Sequence, residues 1–304
     1  MSAPAPKNSP KKRHGAAPGR ESGQRAPEKS LHEQLPELRP GQSVELLQEL
    51  HILTREGKLN QDTRRKLKQV NHLLQFIEPL LQEALAARGD VSLVDHGAGK
   101  SYLGFMLYDL FFAQREVGWV YGVETRAELV ERSRALAERL GFERMRFVAT
   151  TVQEAMTSDQ IPAQIDVVTA LHACDTATDD AIAFGLARQA NYMVLVPCCQ
   201  AEVAGVLRRH KALSLSRTPL GELWRHPLHT REFGSQITNV LRCLELEAHG
   251  YQVTVTELVG WEHSMKNELI LARKVGNGKA SARARLQQVL DELGLRELHA
   301  RFGA

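Results

Sequence analysis

Between residues 91 and 196 the apolar positions switch repeatedly between two periods. Short apolar runs near 91–95, 118–124, 145–149, 165–171 and 192–196 predict strands, and apolar recurrence every three or four residues near 101–114, 126–140 and 179–189 predicts helices between them. Thr176-Ala-Thr-Asp179 has the spacing of a capping box opening the last of these helices. Residues 200–249 read as a longer helical and irregular region. Residues 252–259 and 268–273 then alternate like an antiparallel pair joined by a polar turn. Upstream, Val44, Leu46, Leu47, Leu50 and Leu53, then Leu67, Val70, Leu73, Leu74 and Ile77, recur at helical spacing up to Pro79. Residues 281–300 form a terminal amphipathic helix, and no internal repeat is present. Strands alternating with helices define an α/β fold with a doubly wound, mostly parallel sheet, which binds ligands at the carboxyl ends of its strands. The expected organisation is a disordered basic tail (1–40), a helical extension (41–89), a main domain (90–276) and a C-terminal helix (277–304).

The first apolar run ends in an acid and turns through two glycines, Asp95-His-Gly97-Ala98-Gly99-Lys100, before a helix opens. Glycine allows torsions and a close ligand approach that a Cβ blocks, so the stretch reads as a nucleotide cradle. Three ligands use such loops. A dinucleotide fingerprint needs a third glycine where Tyr102 stands, and its pyrophosphate would meet the Asp95 carboxylate. The phosphate loop G-x-x-x-x-G-K-[ST] finds its second half in Gly99-Lys100-Ser101, but its first glycine would fall at Val94, inside the strand. S-adenosylmethionine has no phosphate and carries a sulfonium and an ammonium, which suit a carboxylate at the loop mouth. Asp95, Gly97 and Gly99 therefore favour a methyl donor. The next strand ends at Glu124, twenty-nine residues after Asp95, about one strand–helix–strand unit. Glu124 is expected beside the glycine loop, its carboxylate accepting from both ribose hydroxyls. Either motif alone also fits a tight turn or a solvated strand end; the two in register argue against that.

The chain has 304 residues, 43% of them hydrophobic, enough for one large domain with appendages. It has no run of eighteen apolar residues and no signal-peptide core, and its four cysteines (Cys174, Cys198, Cys199, Cys243) lack framework spacing, so a soluble cytoplasmic protein is expected. The first forty residues are rich in Pro, Gly, Ser, Lys and Arg and cannot bury enough surface to order themselves. Residues 1–30 carry net +5 against +3 for the whole chain, leaving −2 for the rest. A polycationic tail adds sequence-independent attraction to nucleic acid; a solubilising extension and a cleavable transit peptide are the other readings. Arg64, Arg65, Lys66 and Lys68 form a second basic cluster, and Arg208, Arg209, Lys211, His226, His229 and Arg231 a third. Each is either a solvated face or an RNA-facing edge.

The ends of the fourth and fifth strands face the transferred group in such a sheet. Here they lead into Leu171-His-Ala-Cys-Asp-Thr-Ala-Thr-Asp179 and Val196-Pro-Cys-Cys-Gln200. With Asp95-x-Gly-x-Gly-Lys100, Gly122-Val-Glu124 and Glu262-His-Ser-Met-Lys-Asn267, these residues resemble the class I S-adenosylmethionine-dependent methyltransferases. Within them the chain is similar to the branch that includes the methyltransferase domain of glutathione S-transferase C-terminal-domain-containing proteins, itself similar to some tRNA methyltransferase domains. The resemblance covers roughly residues 60–275. It implies a seven-stranded sheet, donor binding at Asp95, Gly97, Ala98, Gly99 and Glu124, and a further donor contact at Leu171 or His172. Ser101 departs from related loops, which often carry glycine there, and is expected to perturb the turn.

The reaction is less sharply indicated. Amino methylation of adenine or cytosine generally uses an [N/D/S]-P-P-[Y/F/W] loop after the fourth strand, and His-Ala-Cys-Asp stands there instead. His172 or Asp175 as general base suits a hydroxyl or ring-nitrogen acceptor, because histidine is poised near neutral pH; His172 packing only against the donor's adenosine is the plainer reading. Cys174 with Cys198 or Cys199 occupies the strand ends used for covalent cytosine-C5 methylation, in which a thiolate adds to the ring first. Small buried cysteines are, however, common. A zinc site from these cysteines with His172 and His263 is disfavoured, since adjacent cysteines rarely chelate one tetrahedral ion and no C-x-x-C is present, so no metal is expected. The expectation is a methyltransferase using S-adenosylmethionine by direct displacement, with tRNA or rRNA as acceptor through the tail and segments 64–68 and 208–231, and with no membrane contact. A small-molecule or protein acceptor, and a non-catalytic RNA-binding adaptor of the same fold, stand as alternatives.

Overall fold

Val91 and the five residues after it are all buried because this stretch becomes the middle of a sheet covered on both faces. The computed structural model describes residues 35–171, 173–198, 200–210, 217–258 and 268–302. The basic tail up to residue 34, His172, Cys199, Lys211 and the expected polar turn with Glu262, His263 and Asn267 lie outside them. The seven strands are β1 (Ser92–His96), β2 (Trp119–Glu124), β3 (Met145–Ala149), β4 (Val167–Leu171), β5 (Tyr192–Val196), β6 (Tyr251–Glu257) and β7 (Glu268–Lys274). Their order is β3-β2-β1-β4-β5-β7-β6, with β7 antiparallel to both neighbours and the remaining pairs parallel. This is the doubly wound, mostly parallel seven-stranded sheet the pattern and the resemblance imply. Each strand end falls within two residues of its expected place.

The N-terminal extension consists of α1 (Val44–Glu49) and the long α2 (Gln61–Arg88). Asn60 and Thr63 cap α2 reciprocally, and the helix runs through Pro79, the point up to which the apolar repeat was traced. Leu74, Ile77, Leu81 and Ala84 keep one buried stripe across that point, which offsets the missing N–H. Packing begins before residue 41: Leu38 is buried, and Arg39 pairs with Glu78. At the far end of α2, Arg88 reaches Asp166 at 2.8 Å, and the other Asp166 oxygen accepts from the backbone and hydroxyl of Ser92.

The crossover helices are α3 (Tyr102–Leu107), α4 (Ala127–Arg139), α5 (Val152–Thr157) and α6 (Ala177–Ala187). The helix expected over 101–114 instead passes into a π-turn, Tyr108–Phe112, closed by the Ala113 N–H to the Tyr108 carbonyl at 2.7 Å. The wider turn points Phe111 and Phe112 into the core, and Asp109 accepts from the Ser43 N–H, fastening α1. The capping box expected at Thr176 does not form: its side chain makes no cap bond, because the Asp179 carboxylate is drawn to Arg242. Beyond β5 come α7 (Glu202–His210), α8 (Pro227–Ala248), α9 (Ala280–Glu292) and α10 (His299–Phe302). Leu207, Leu241, Leu286, Leu290 and Phe302 join these helices in a second core beside the sheet. No helix among the described residues is long and apolar enough to cross a membrane.

Candidate active site

The turn after β1 closes because three successive odd positions adopt left-handed torsions: Gly97 (φ 65°), Gly99 (φ 58°) and Ser101 (φ 52°). Gly97 and Gly99 do so without a Cβ penalty; Ser101 does not, and is the departure the sequence flagged. Ser101 is fully buried, and its hydroxyl lies 3.5 Å from Asp95 Oδ2. The other Asp95 oxygen accepts from Thr169 Oγ1 at 3.0 Å, its register partner on β4. Burial pushes the Asp95 carboxyl up to about 6, against the lowering pull of Thr169, the Gly104 N–H and Ser101.

Glu124 arrives beside the turn as expected and accepts from the Gly99 N–H at 2.8 Å. Arg126 also engages it, through its backbone N–H, its Nε at 3.0 Å and its terminal guanidinium nitrogen at 3.1 Å. Burial raises the Glu124 carboxyl, but the Arg126 side chain, the Arg126 and Gly99 N–H groups and the Arg126 charge outweigh it and hold the carboxyl at about 2. The two acids are thus held differently, one ionised throughout the physiological range and one near its titration point. Between them in sequence, His96 is buried against Phe184 with both ring nitrogens unpartnered, and burial lowers it to about 4 despite the Glu124 charge. A neutral imidazole here adds no positive charge to repel a cationic ligand. Val94 lies in β1, paired with Tyr121 and Val168, so no phosphate wrap starts there.

At the other strand ends, Leu171 is half-buried, Cys174 exposed and Cys198 half-buried. Asp175 Oδ2 accepts from the backbone N–H groups of Ala201 and Glu202, at 3.1 and 3.2 Å, capping the start of α7 and tying the β4 loop to the β5 loop. Behind both loops, Arg242 is fully buried; it donates to Asp179 at 2.5 Å, to the Asp175 carbonyl at 2.9 Å and to Asn239 Oδ1 at 3.1 Å. Asn239 in turn meets Gln200 and Glu268. Glu245, beside this network, is raised to about 8 by burial and by Asp179, against the pull of Arg242 and Arg301. Thr169, Arg126 and Arg242 were not singled out from the sequence. A threonine inside the apolar run 167–171 and an arginine two residues past the second acid were the available signals.

A family model described as a methyltransferase domain matches residues 65–206. Among solved structures, the chain is similar to an rRNA methylase from Streptococcus thermophilus at 10% identity, covering 62% of this chain and 88% of that one with a TM-score of 0.37. It is similar to the Methanococcus jannaschii fibrillarin pre-rRNA processing protein at 13% identity, covering 62% and 68% with a TM-score of 0.37. Similarity to precorrin-6y C5,15-methyltransferase from Geobacter metallireducens is 18% identity, covering 61% and 80% with a TM-score of 0.36. None of these three likenesses bears on the acceptor. No curated protein matches the sequence. The sheet order and the domain match over residues 65–206 give the class: an S-adenosylmethionine-dependent methyltransferase with the class I fold.

Proposed function

We propose that this enzyme methylates RNA. The observation that carries the reading is the distribution of charge: net +5 in residues 1–30 against −2 for the remainder, with Arg65, Lys66 and Lys68 exposed at the start of α2. The 208–231 segment contributes less than its composition suggests, since Arg209, Arg225 and Arg231 each pair with a glutamate. Comparing nucleosides by mass spectrometry in RNA from cells with and without the gene tests the acceptor. One methylated nucleoside is expected to disappear; identical profiles in every RNA fraction contradict the reading.

In this proposal Asp95, Gly97, Ala98, Gly99 and Glu124 hold the donor, with Leu171 and His172 beside it. When bound, S-adenosylmethionine supplies a methyl group already activated on a sulfonium. The chain's task is then to orient the acceptor and remove its proton. His172 or Asp175 is the base. The Asp175 oxygen that caps α7 makes this residue rigid, and His172 stands between it and Leu171 in sequence. Cys198 and Cys199 carry the covalent alternative, supported by the placement of Cys174 and Cys198 at neighbouring strand ends. Full activity in Cys174→Ala, Cys198→Ala and Cys199→Ala excludes that route.

The Asp95 carboxyl gives donor binding a pH dependence. A cationic donor favours ionised Asp95, so binding below about pH 6 must expel a proton, and affinity rises with pH. Calorimetry is expected to show the dissociation constant for S-adenosylmethionine growing about tenfold per pH unit below 6 and flat just above it, with the dependence gone in Asp95→Asn. A flat wild-type profile from pH 4.5 to 7 contradicts this role for Asp95.

A further inference from the structure

A cavity of about 280 Å³ opens beside the donor loop and shares none of its acids. Its walls come from three separate parts of the chain: Glu49, Leu50 and His51 at the end of α1, Lys100 and Tyr102 directly after the glycine turn, and Leu129, Arg132 and Leu136 along α4. Leu50 and Leu136 are buried and Leu129 half-buried, giving an apolar floor, while Tyr102 supplies a half-buried aromatic ring. Lys100 and Arg132 are exposed at the rim, and neither forms an ion pair among the described residues. The acid at the rim, Glu49, is already neutralised by Arg139 at 2.6 Å. An apolar floor with an aromatic wall and two cations outside any ion pair matches a ring carrying a phosphate.

We propose that this cavity is a subsite for one nucleotide of the acceptor RNA, its base against Tyr102 and the leucines and its phosphate between Lys100 and Arg132. The inference rests on the RNA reading above and deepens it. It also assigns a task to the helical extension. Leu46 and Leu47 are buried, and Ser43 is bonded to Asp109 at 2.8 Å, so α1 is fastened rigidly against the domain. His51 then leaves α1 in a left-handed conformation (φ 55°), a strained geometry for a residue with a Cβ, and lines the cavity. The subsite adjoins the donor through Lys100, the residue after Gly99, so an RNA seated here approaches the transfer centre from the α1–α4 side.

The test uses full-length protein loaded with S-adenosylhomocysteine and a short mixed-sequence single-stranded RNA carrying 4-thiouridine. Irradiation is expected to crosslink the RNA to peptides containing residues 49–51, 100–102 or 129–139. Arg132→Ala is expected to weaken RNA binding about tenfold and to lower the slope of log affinity against log salt by about 0.7, the loss of one phosphate contact. Donor affinity should stay within about twofold of wild type, which separates loss of the subsite from loss of fold. RNA binding with every crosslink outside these peptides, or with Arg132→Ala unchanged, overturns the subsite and leaves the RNA reading standing. No RNA binding by the wild-type protein overturns both.

Discussion

Glu124→Ala is expected to weaken S-adenosylmethionine binding by at least about a hundredfold, or about 2.7 kcal/mol. Hydrogen bonds to a charged acceptor contribute about 1.5–3 kcal/mol each, and a ribose would place two on this carboxylate. The loss is less than the full sum because Arg126 already satisfies both oxygens, at 3.0 and 3.1 Å, and gives up side-chain bonds when a ribose replaces it. That side chain is 59% exposed and returns to water at little cost. Removing the carboxylate also frees the Gly99 N–H, so the glycine turn loosens along with the contact. Glu124→Asp, one methylene shorter, should fall between. Calorimetry on the three proteins, with circular dichroism to confirm the fold, makes the comparison; an alanine variant within about threefold of wild type contradicts the assignment.

Arg242→Met should destabilise the protein by about 3–5 kcal/mol, the usual effect of removing one partner of a buried ion pair. Arg242 is fully buried, and Asp179, 7% exposed, would keep only the longer contact to Arg301, at 3.9 Å. Adding Asp179→Leu should restore most of the loss, because a buried pair replaced by apolar groups is often neutral. Urea unfolding reads these differences; a single variant within about 1 kcal/mol of wild type contradicts the account.

What could be read in advance divides along a physical line. β1, β2 and β5 are inner strands, so each appears as a mostly apolar run stopped by an acid or a proline. Asp95 and Glu124 were legible for the same reason: a charge ending such a run has to face a loop. The residues that shape those acids were less visible. Thr169 acts through register and Arg126 through a clasp back onto its own strand end, whereas Ser101 was visible as a departure from glycine at the position that turns out to be left-handed. The Arg242 network joins residues 175, 179, 200, 239 and 268, separations at which one sequence carries no pairing signal. Thr176 misled because a capping box is a local rule, and a buried guanidinium from α8 competes successfully for the same aspartate. The short α5 went unassigned although Thr151 and Glu154 do form a reciprocal cap, because its apolar stripe is too brief to show a period.

The central claim is that the carboxyls of Asp95 and Glu124 flank an adenosine bearing a cationic sulfur rather than a phosphate chain. A crystal of the full-length protein grown with S-adenosylmethionine tests it directly. The account predicts the ribose hydroxyls on Glu124 and the amino-acid end of the donor over the Gly97–Gly99 turn. A donor lodged elsewhere, with those two side chains untouched, contradicts it.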